Sequence, residues 1–190
     1  MNIISLDIET TGLDPQKHNV ISIGAVSLWN DEEFYREIYY KDLCVSADTQ
    51  AFLKIDFDKI KDVQRSEPHI AICDFNTWLL RQIPPGEKLI AMGLNVGSFD
   101  LQFIKKLSQS VESPGTIELF AYRSLDLNSV MMYQSHFTKL SFMDFKKEKT
   151  AQAVERLKIN QPKLYEYGIH HALFDAWFNV YLWGVLKNEK

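Results

Sequence analysis

Along the first ten residues apolar and polar positions alternate, with Ile4, Leu6 and Ile8 interleaved with Ser5, Asp7 and Glu9. A strand repeats its faces every second residue. The pattern therefore predicts a strand with one apolar face and both carboxylates on the other, roughly 6 to 7 Å apart along the backbone. Thr10-Thr11-Gly12 carries turn chemistry, which places the acids at the carboxyl end of that strand. Taken alone, the pair also suits an edge strand whose polar face meets water. Residues 13–19 read as a loop and Val20 to Trp29 as a second strand. Asn30-Asp31 forms a turn, and Glu33 to Tyr40 a third strand antiparallel to the second, which completes a meander.

From Val45 to Pro68 the pattern turns polar and irregular, with Ala51–Leu53 and Ile55–Phe57 as candidate single helical turns. Ile72, Phe75, Trp78 and Leu79 recur at three- and four-residue spacing, predicting a helix over 70–82 that Pro84-Pro85-Gly86 stops. Lys88 to Leu94 returns as a buried strand, and Leu101 to Leu107 reads as an amphipathic helix. After a loop over 108–115, Ile117 to Leu125 has the look of a further strand ending at Asp126, which caps a short helix. Two helices follow, Lys139 to Phe145 and Thr150 to Leu157, joined through Lys146-Lys147-Glu148-Lys149. The chain closes on an apolar helix whose core stripe is Leu173, Ala176, Trp177, Val180 and Tyr181.

Length and composition fit a single domain over residues 1–190. Apolar residues make up 46% and charged residues 24%, the balance of a globular chain. Apart from a C-terminal segment interrupted by Asp175 and Asn179, no apolar run approaches the length that spans a bilayer, and the amino terminus lacks the basic region of a signal peptide. Cys44 and Cys73 give neither a disulfide framework nor a metal-ligand spacing, so they read as reduced thiols of a cytoplasmic protein. A net charge of −4 argues against strong non-specific binding to nucleic acid. It counts little against a nuclease, in which clustered acids bind the cations that neutralise phosphate.

Three distant stretches carry candidate chemistry. The first is Asp7 and Glu9. The second is Asn95-Val-Gly-Ser-Phe99-Asp100, where Asp100 also suits a helix cap. The third is His170-His171-Ala-Leu-Phe-Asp175. Asp175 is the only formally charged residue between Ala172 and Leu186, and an unpaired carboxylate in such apolar surroundings needs a partner. A metal ion supplies one, and His171 at four-residue spacing is the alternative. The Lys146–Lys149 cluster reads as a solvated face or a phosphate clamp.

Asp7-Ile-Glu9-Thr-Thr-Gly-Leu-Asp-Pro15 closely resembles the first signature of the DEDD superfamily of 3′ to 5′ exonucleases, which includes proofreading exonucleases, ribonuclease T and oligoribonuclease. Phe99-Asp100 resembles the second motif, although three residues rather than two separate Asn95 from Phe99, which leaves the role of Asn95 open. His170, five residues before Asp175, matches the histidine (DEDDh) branch. The resemblance implies a ribonuclease H-like α/β fold, a mixed sheet of about five strands flanked by helices.

It further implies that Asp7, Glu9, Asp100 and Asp175 hold two divalent cations, Mg²⁺ with Mn²⁺ as a substitute, and that His170 is the general base. Thr10, Leu13 and Phe99 would contact the terminal nucleotide. The expected reaction releases nucleoside monophosphates from the 3′ end of single-stranded DNA or RNA, with no membrane partner. A hydrolase of dinucleotides or other small phosphodiesters, a catalytically dead binding module, and a proofreading subunit held non-covalently by a polymerase are the competing classes. The sugar, the oligomeric state, including a homodimer, and the pathway are not specified.

Overall fold

The computed structural model describes residues 2–53, 65–113 and 115–187. Five strands, β1 (Ile3–Thr10), β2 (Val20–Ser27), β3 (Glu33–Glu37), β4 (Ile90–Gly93) and β5 (Leu125–Asp126), form one mixed sheet. Their order is β3-β2-β1-β4-β5. The meander pairs antiparallel, while β4 joins β1, and β5 joins β4, in parallel. The acid-bearing strand is thus central and not an edge.

Strand alternation divides β1 as the pattern predicts. Ile4, Leu6 and Ile8 enter a core shared with Ala71, Ile72, Phe75, Trp78 and Leu79 of α2 (Pro68–Gln82) and with Phe103, Ile104 and Leu107 of α3 (Asp100–Ser110). Ser5, Asp7 and Glu9 face the last helix, α8 (Ala172–Leu186). The Ser5 hydroxyl donates to the Ala176 carbonyl at 2.7 Å. Gly24, the register partner of Asp7 on β2, explains how closely that helix approaches. A Cβ at Gly24 would lie 2.2 Å from the Ala172 carbonyl carbon, so only glycine lets the first turn of α8 rest on the sheet.

Several expectations need correction. Ile117 to Leu125 is not a strand: residues 115–118 form the helical turn α4 (Gly115–Glu118), and only Leu125–Asp126 pair. Thr116 starts that turn by donating its Oγ1 to the Ser113 carbonyl at 3.1 Å, a local bond that competes with strand pairing. Phe120 still reaches the sheet through one isolated bridge to Leu89 and is buried. The two helices expected over 139–157 are one, α6 (Phe142–Asn160), capped by the Ser141 hydroxyl. The lysine cluster contains no glycine or proline, and Lys and Glu are good helix formers, so nothing interrupts the helix there.

In α8 the stripe is shifted. Ala176 and Trp177 are buried as expected, but Leu173, Val180 and Tyr181 are only partly so, and Phe174, Asn179 and Leu182 take the deeper positions. The irregular stretch after β3 contains α1 (Ala47–Leu53), while Ile55–Phe57 lies outside the described residues. Asp126 caps α5 (Leu127–Ser135), accepting from the Asn128 amide at 2.8 Å, as expected. The short helix α7 (Pro162–Tyr165) leads towards α8. Among the described residues no helix is long and apolar enough to cross a membrane.

Candidate active site

β1 and β4 stay paired only from Ile3 with Ile90 to Ser5 with Met92. Beyond that point β4 turns away at Gly93, and the carboxyl half of β1 has no strand on that side. Chain connections leave the sheet in opposite directions from β1 and β4, the arrangement that opens a crevice at the strands' carboxyl ends. Asp100 fills the vacated edge, with Oδ1 accepting from the Ile8 amide at 3.1 Å. It does not cap its own helix. Phe99 occupies the cap position of α3 without a side-chain bond, and Asp100, only 4% exposed, points back to β1.

From the opposite side α8 brings in Asp175. Its Oδ2 accepts from the His170 amide at 2.8 Å, which holds His170 in a left-handed backbone conformation with φ 70°. Asp175 therefore fastens the histidine that precedes the helix, and no side-chain bond to His171 replaces it. Ligand atoms of Glu9, His170 and Asp175 all lie within 4.8 Å of one another. The ring of His171 goes elsewhere, stacked between Tyr35 at 4.4 Å and Tyr167 at 4.5 Å.

Electrostatics show how tightly the four acids are grouped. Burial raises the Asp7 carboxyl well above its ordinary range, and Asp100, Asp175 and Glu9 add repulsion. Glu9 is pushed up to about 8, by burial first and then by Asp175 and Asp100. Burial likewise carries Asp100 and Asp175 up to about 7. Among the described residues none of these four forms an ion pair with lysine or arginine. Four hard oxygen donors and one imidazole, mutually repelling and without a cationic side chain, are a donor set that fits divalent cations such as Mg²⁺ or Mn²⁺. Burial depresses the His170 pKa below its ordinary value, so its imidazole is neutral near pH 7 and can accept a proton.

The remaining expected residues lie around this cluster. Thr10 is buried, its hydroxyl donating to the Gly12 carbonyl at 2.7 Å, and the turn it holds leaves Leu13 79% exposed. Phe99 is half-buried, its ring 4.9 Å from that of Phe103 and packed against the core. Asn95 is engaged elsewhere: its backbone N–H donates to Asp126 and its side-chain Oδ1 accepts from Asn128 at 3.1 Å.

The lysine cluster separates into three environments. Lys146 donates to Asn128 at 2.9 Å. Lys149 is buried over the Phe145 ring and paired with Glu148 at 3.0 Å. Lys147 alone faces a cleft of about 690 Å³ between α6 and α8, which Asp7, Glu9, His170 and Asp175 also line. Lys147 belongs to the cluster read as a solvated face or a phosphate clamp, whereas Asn179 of the cleft and Ser5 under α8 were given no role by pattern reading. Both had a signal: Ser5 shares the alternation of Asp7 and Glu9, and Asn179 falls one helical turn after Asp175.

Comparison with known proteins decides the family. The RNase T family model, described as exonuclease, matches residues 4–182. The chain belongs to the RNase T exonuclease family. It thereby joins the DEDD superfamily and the 3′ to 5′ exonuclease class of enzymes. A relative from Escherichia coli, the 3′-5′ DNA exonuclease Cap18, is 26% identical over 186 residues, covering 96% of this chain and 90% of its own. An oligoribonuclease from Shewanella sp. (strain ANA-3) is 24% identical over 178 residues, covering 87% and 93%. In three dimensions the chain resembles E. coli Exonuclease I in complex with a dT13 oligonucleotide, with a TM-score of 0.69 at 14% identity over 98% of this chain. The match takes in 41% of that longer protein, so the likeness establishes the ribonuclease H-like fold alone.

Proposed function

We propose that residues 1–190 act as a single exonuclease domain that removes nucleoside 5′-monophosphates from the 3′ end of single-stranded nucleic acid. The observation that carries this reading is the convergence of Glu9, His170 and Asp175 within 4.8 Å beside Asp7 and Asp100, at the carboxyl end of the central strand. Asp7, Glu9 and Asp175 would hold one divalent cation, and Asp7 with Asp100 a second. When bound, the two cations neutralise charge on the phosphoryl group and lower the pKa of a bound water.

His170 takes the proton of the attacking water. Its neutral imidazole suits that role, and the Asp175 bond to its backbone amide holds the main chain that carries the ring. Leu13, the backbone at Thr10 and half-buried Phe99 receive the terminal nucleoside. A 3′ end must be splayed from any partner strand to enter so crowded a set of carboxylates, which favours single strands. The name of one relative specifies DNA and that of another RNA, so both sugars belong in the test.

The test is incubation of 5′-labelled single-stranded DNA and RNA of equal sequence with the protein in Mg²⁺, in Mn²⁺ and in chelator. The expected result is a ladder shortening from the 3′ end, absent in chelator and with Asp7→Ala. Intact polymers in every condition would overturn the reading.

A further inference from the structure

An attacking group must stand in line with the bond it breaks, opposite the leaving 3′ oxygen, and here His170 receives its proton. The attacking side of the scissile phosphate is therefore the side of His170. There the centre does not close around one water molecule. It opens into the cleft of about 690 Å³ between α6 and α8, whose lining includes His170 and Asp175 but neither Leu13 nor Phe99. One water takes up roughly 30 Å³, so the cleft leaves room for a whole organic molecule beside the attacking position. Its volume falls in the range of about 300–1,000 Å³ typical of small-ligand pockets.

The lining selects the kind of molecule. Phe174, Phe178, Val154, Ile169 and Leu94 make an apolar wall, and the acids and His170 form a polar border. Against four carboxylates, Asp7, Glu9, Glu155 and Asp175, Lys147 is the one Lys or Arg among the lining residues. That balance disfavours an anion, and the apolar wall disfavours a sugar or any other heavily hydrated body. A protonated amine would be drawn to the acids themselves and has no lone pair to attack with. What fits is neutral, apolar along its length and polar at one end, where a hydroxyl takes the place of the attacking water.

We propose that the α6–α8 cleft admits primary alcohols with an aryl or alkyl body as attacking groups in place of water, so that the protein also transfers nucleotides to alcohols. The alcohol oxygen bonds to phosphorus while the bond from phosphorus to the 3′ oxygen of the preceding unit breaks. The alcohol proton passes to His170, and solvent protonates the departing 3′ oxygen on the far side. The products are a strand one unit shorter, with a free 3′ hydroxyl, and the ester of the alcohol with a nucleoside 5′-monophosphate. The proposal rests on the exonuclease reading above and adds a second acceptor to the same chemistry.

The test uses a single-stranded thymidine oligonucleotide in Mg²⁺ with benzyl alcohol or methanol added at equal concentration. The two alcohols have similar acidity, so a difference between them reports binding of the body and not the strength of the nucleophile. Mass spectrometry separates thymidine 5′-monophosphate from its benzyl or methyl ester. The parent chain is compared with Ala151→Trp and Val154→Trp, each of which fills the cleft from α6, and with Gln152→Trp, on the same helix but outside the lining. A second readout needs no reaction: in chelator, the fluorine resonance of trifluoromethylbenzyl alcohol is followed as protein is added. Thermal melting checks that each variant folds.

Per mole of alcohol, the benzyl ester should exceed the methyl ester at least about tenfold in the parent, an advantage within what burial of one phenyl ring supplies. Ala151→Trp and Val154→Trp should lower the benzyl ester about tenfold while total release of nucleotide stays within about twofold of the parent, and Gln152→Trp should change neither. The fluorine resonance should broaden saturably with the parent and with Gln152→Trp, but not with the two variants that fill the cleft. Hydrolysis without benzyl ester, benzyl and methyl esters in equal yield, no saturable fluorine signal with the parent, or a benzyl ester undiminished in a folded cleft variant would each overturn the proposal and leave the exonuclease reading standing. A parent chain that cleaves the strand with neither water nor alcohol would overturn that reading, and this proposal with it.

Discussion

Asp7 is buried and repelled by three other acids, so its charge destabilises the fold when no cation offsets it. Asp7→Asn keeps the shape and removes the charge. The expected outcome is a fall in turnover of at least about a hundredfold, as when a preorganised electrostatic contact is lost. The same variant should melt higher than the parent in chelator, as differential scanning fluorimetry would show. His170→Ala should cost roughly 10²- to 10⁴-fold in kcat while Mn²⁺ binding persists. His171→Ala should leave turnover near the parent and lower the melting point, because its ring is packed between Tyr35 and Tyr167. Full activity in His170→Ala would shift the proton-accepting role to His171.

At this scale Asp7 and Glu9 were legible as two carboxylates on one face of an alternating strand and Asp175 as a charge in an apolar helix, while Asp100 alone suited a helix cap and was singled out by the Phe99-Asp100 resemblance. Lys147 showed only as one of a lysine cluster, and Asn179 broke no pattern. A lysine in a helix and an asparagine among aromatic residues are ordinary in one dimension, and only the packing of α6 against α8 gives them a shared cavity.

Among the elements, the contact of α8 with the sheet decides where Asp175 and His170 stand. Gly24 permits it, and Ser5 ties it down. Gly24→Ala should push the first turn of α8 outward, costing about 1–3 kcal/mol as overpacking does, and should lower activity with it. Chemical denaturation and the labelled-ladder assay together would show both losses. A variant as stable and active as the parent would mean that α8 has another way to seat. α2 was readable from its three- and four-residue apolar stripe, and β2 and β4 as nearly continuous apolar runs, since the sheet buries both of their faces. α6 was not read as one helix, because its lysine run mimics a solvated linker. Residues 117–125 were misread because apolar content alone does not reveal the local bond from Thr116 that starts a helical turn.

For the whole molecule, the raised carboxyl groups couple folding to pH and to cations. Folded values near 7 to 8 for Glu9, Asp100 and Asp175 exceed their unfolded values of 4.5, 3.8 and 3.8. A group raised on folding contributes its stability below the unfolded pKa and loses it as pH climbs through the folded one. In chelator the melting point should therefore fall between pH 7 and pH 8.5. Each kcal/mol lost would show as about 2–4 °C for a chain of this size. His170 and His171, whose values are depressed, act in the opposite sense, but mainly below their ordinary value near 6.5 and so outside that window. Saturating Mg²⁺ should raise the melting point more at pH 8.5 than at pH 7.

Cation binding at neutral pH must also expel the protons that Glu9, Asp100 and Asp175 retain in the free protein. Calorimetric titration of Mn²⁺ into the chain with a nucleoside 5′-monophosphate present, repeated in buffers of different ionisation enthalpy, reads both quantities at once. Two cations bound per chain with net proton release, and loss of both signals in Asp7→Asn, is the expected result. Absence of saturable binding, or binding that Asp7→Asn leaves intact, would contradict a two-cation exonuclease centre built on these four acids.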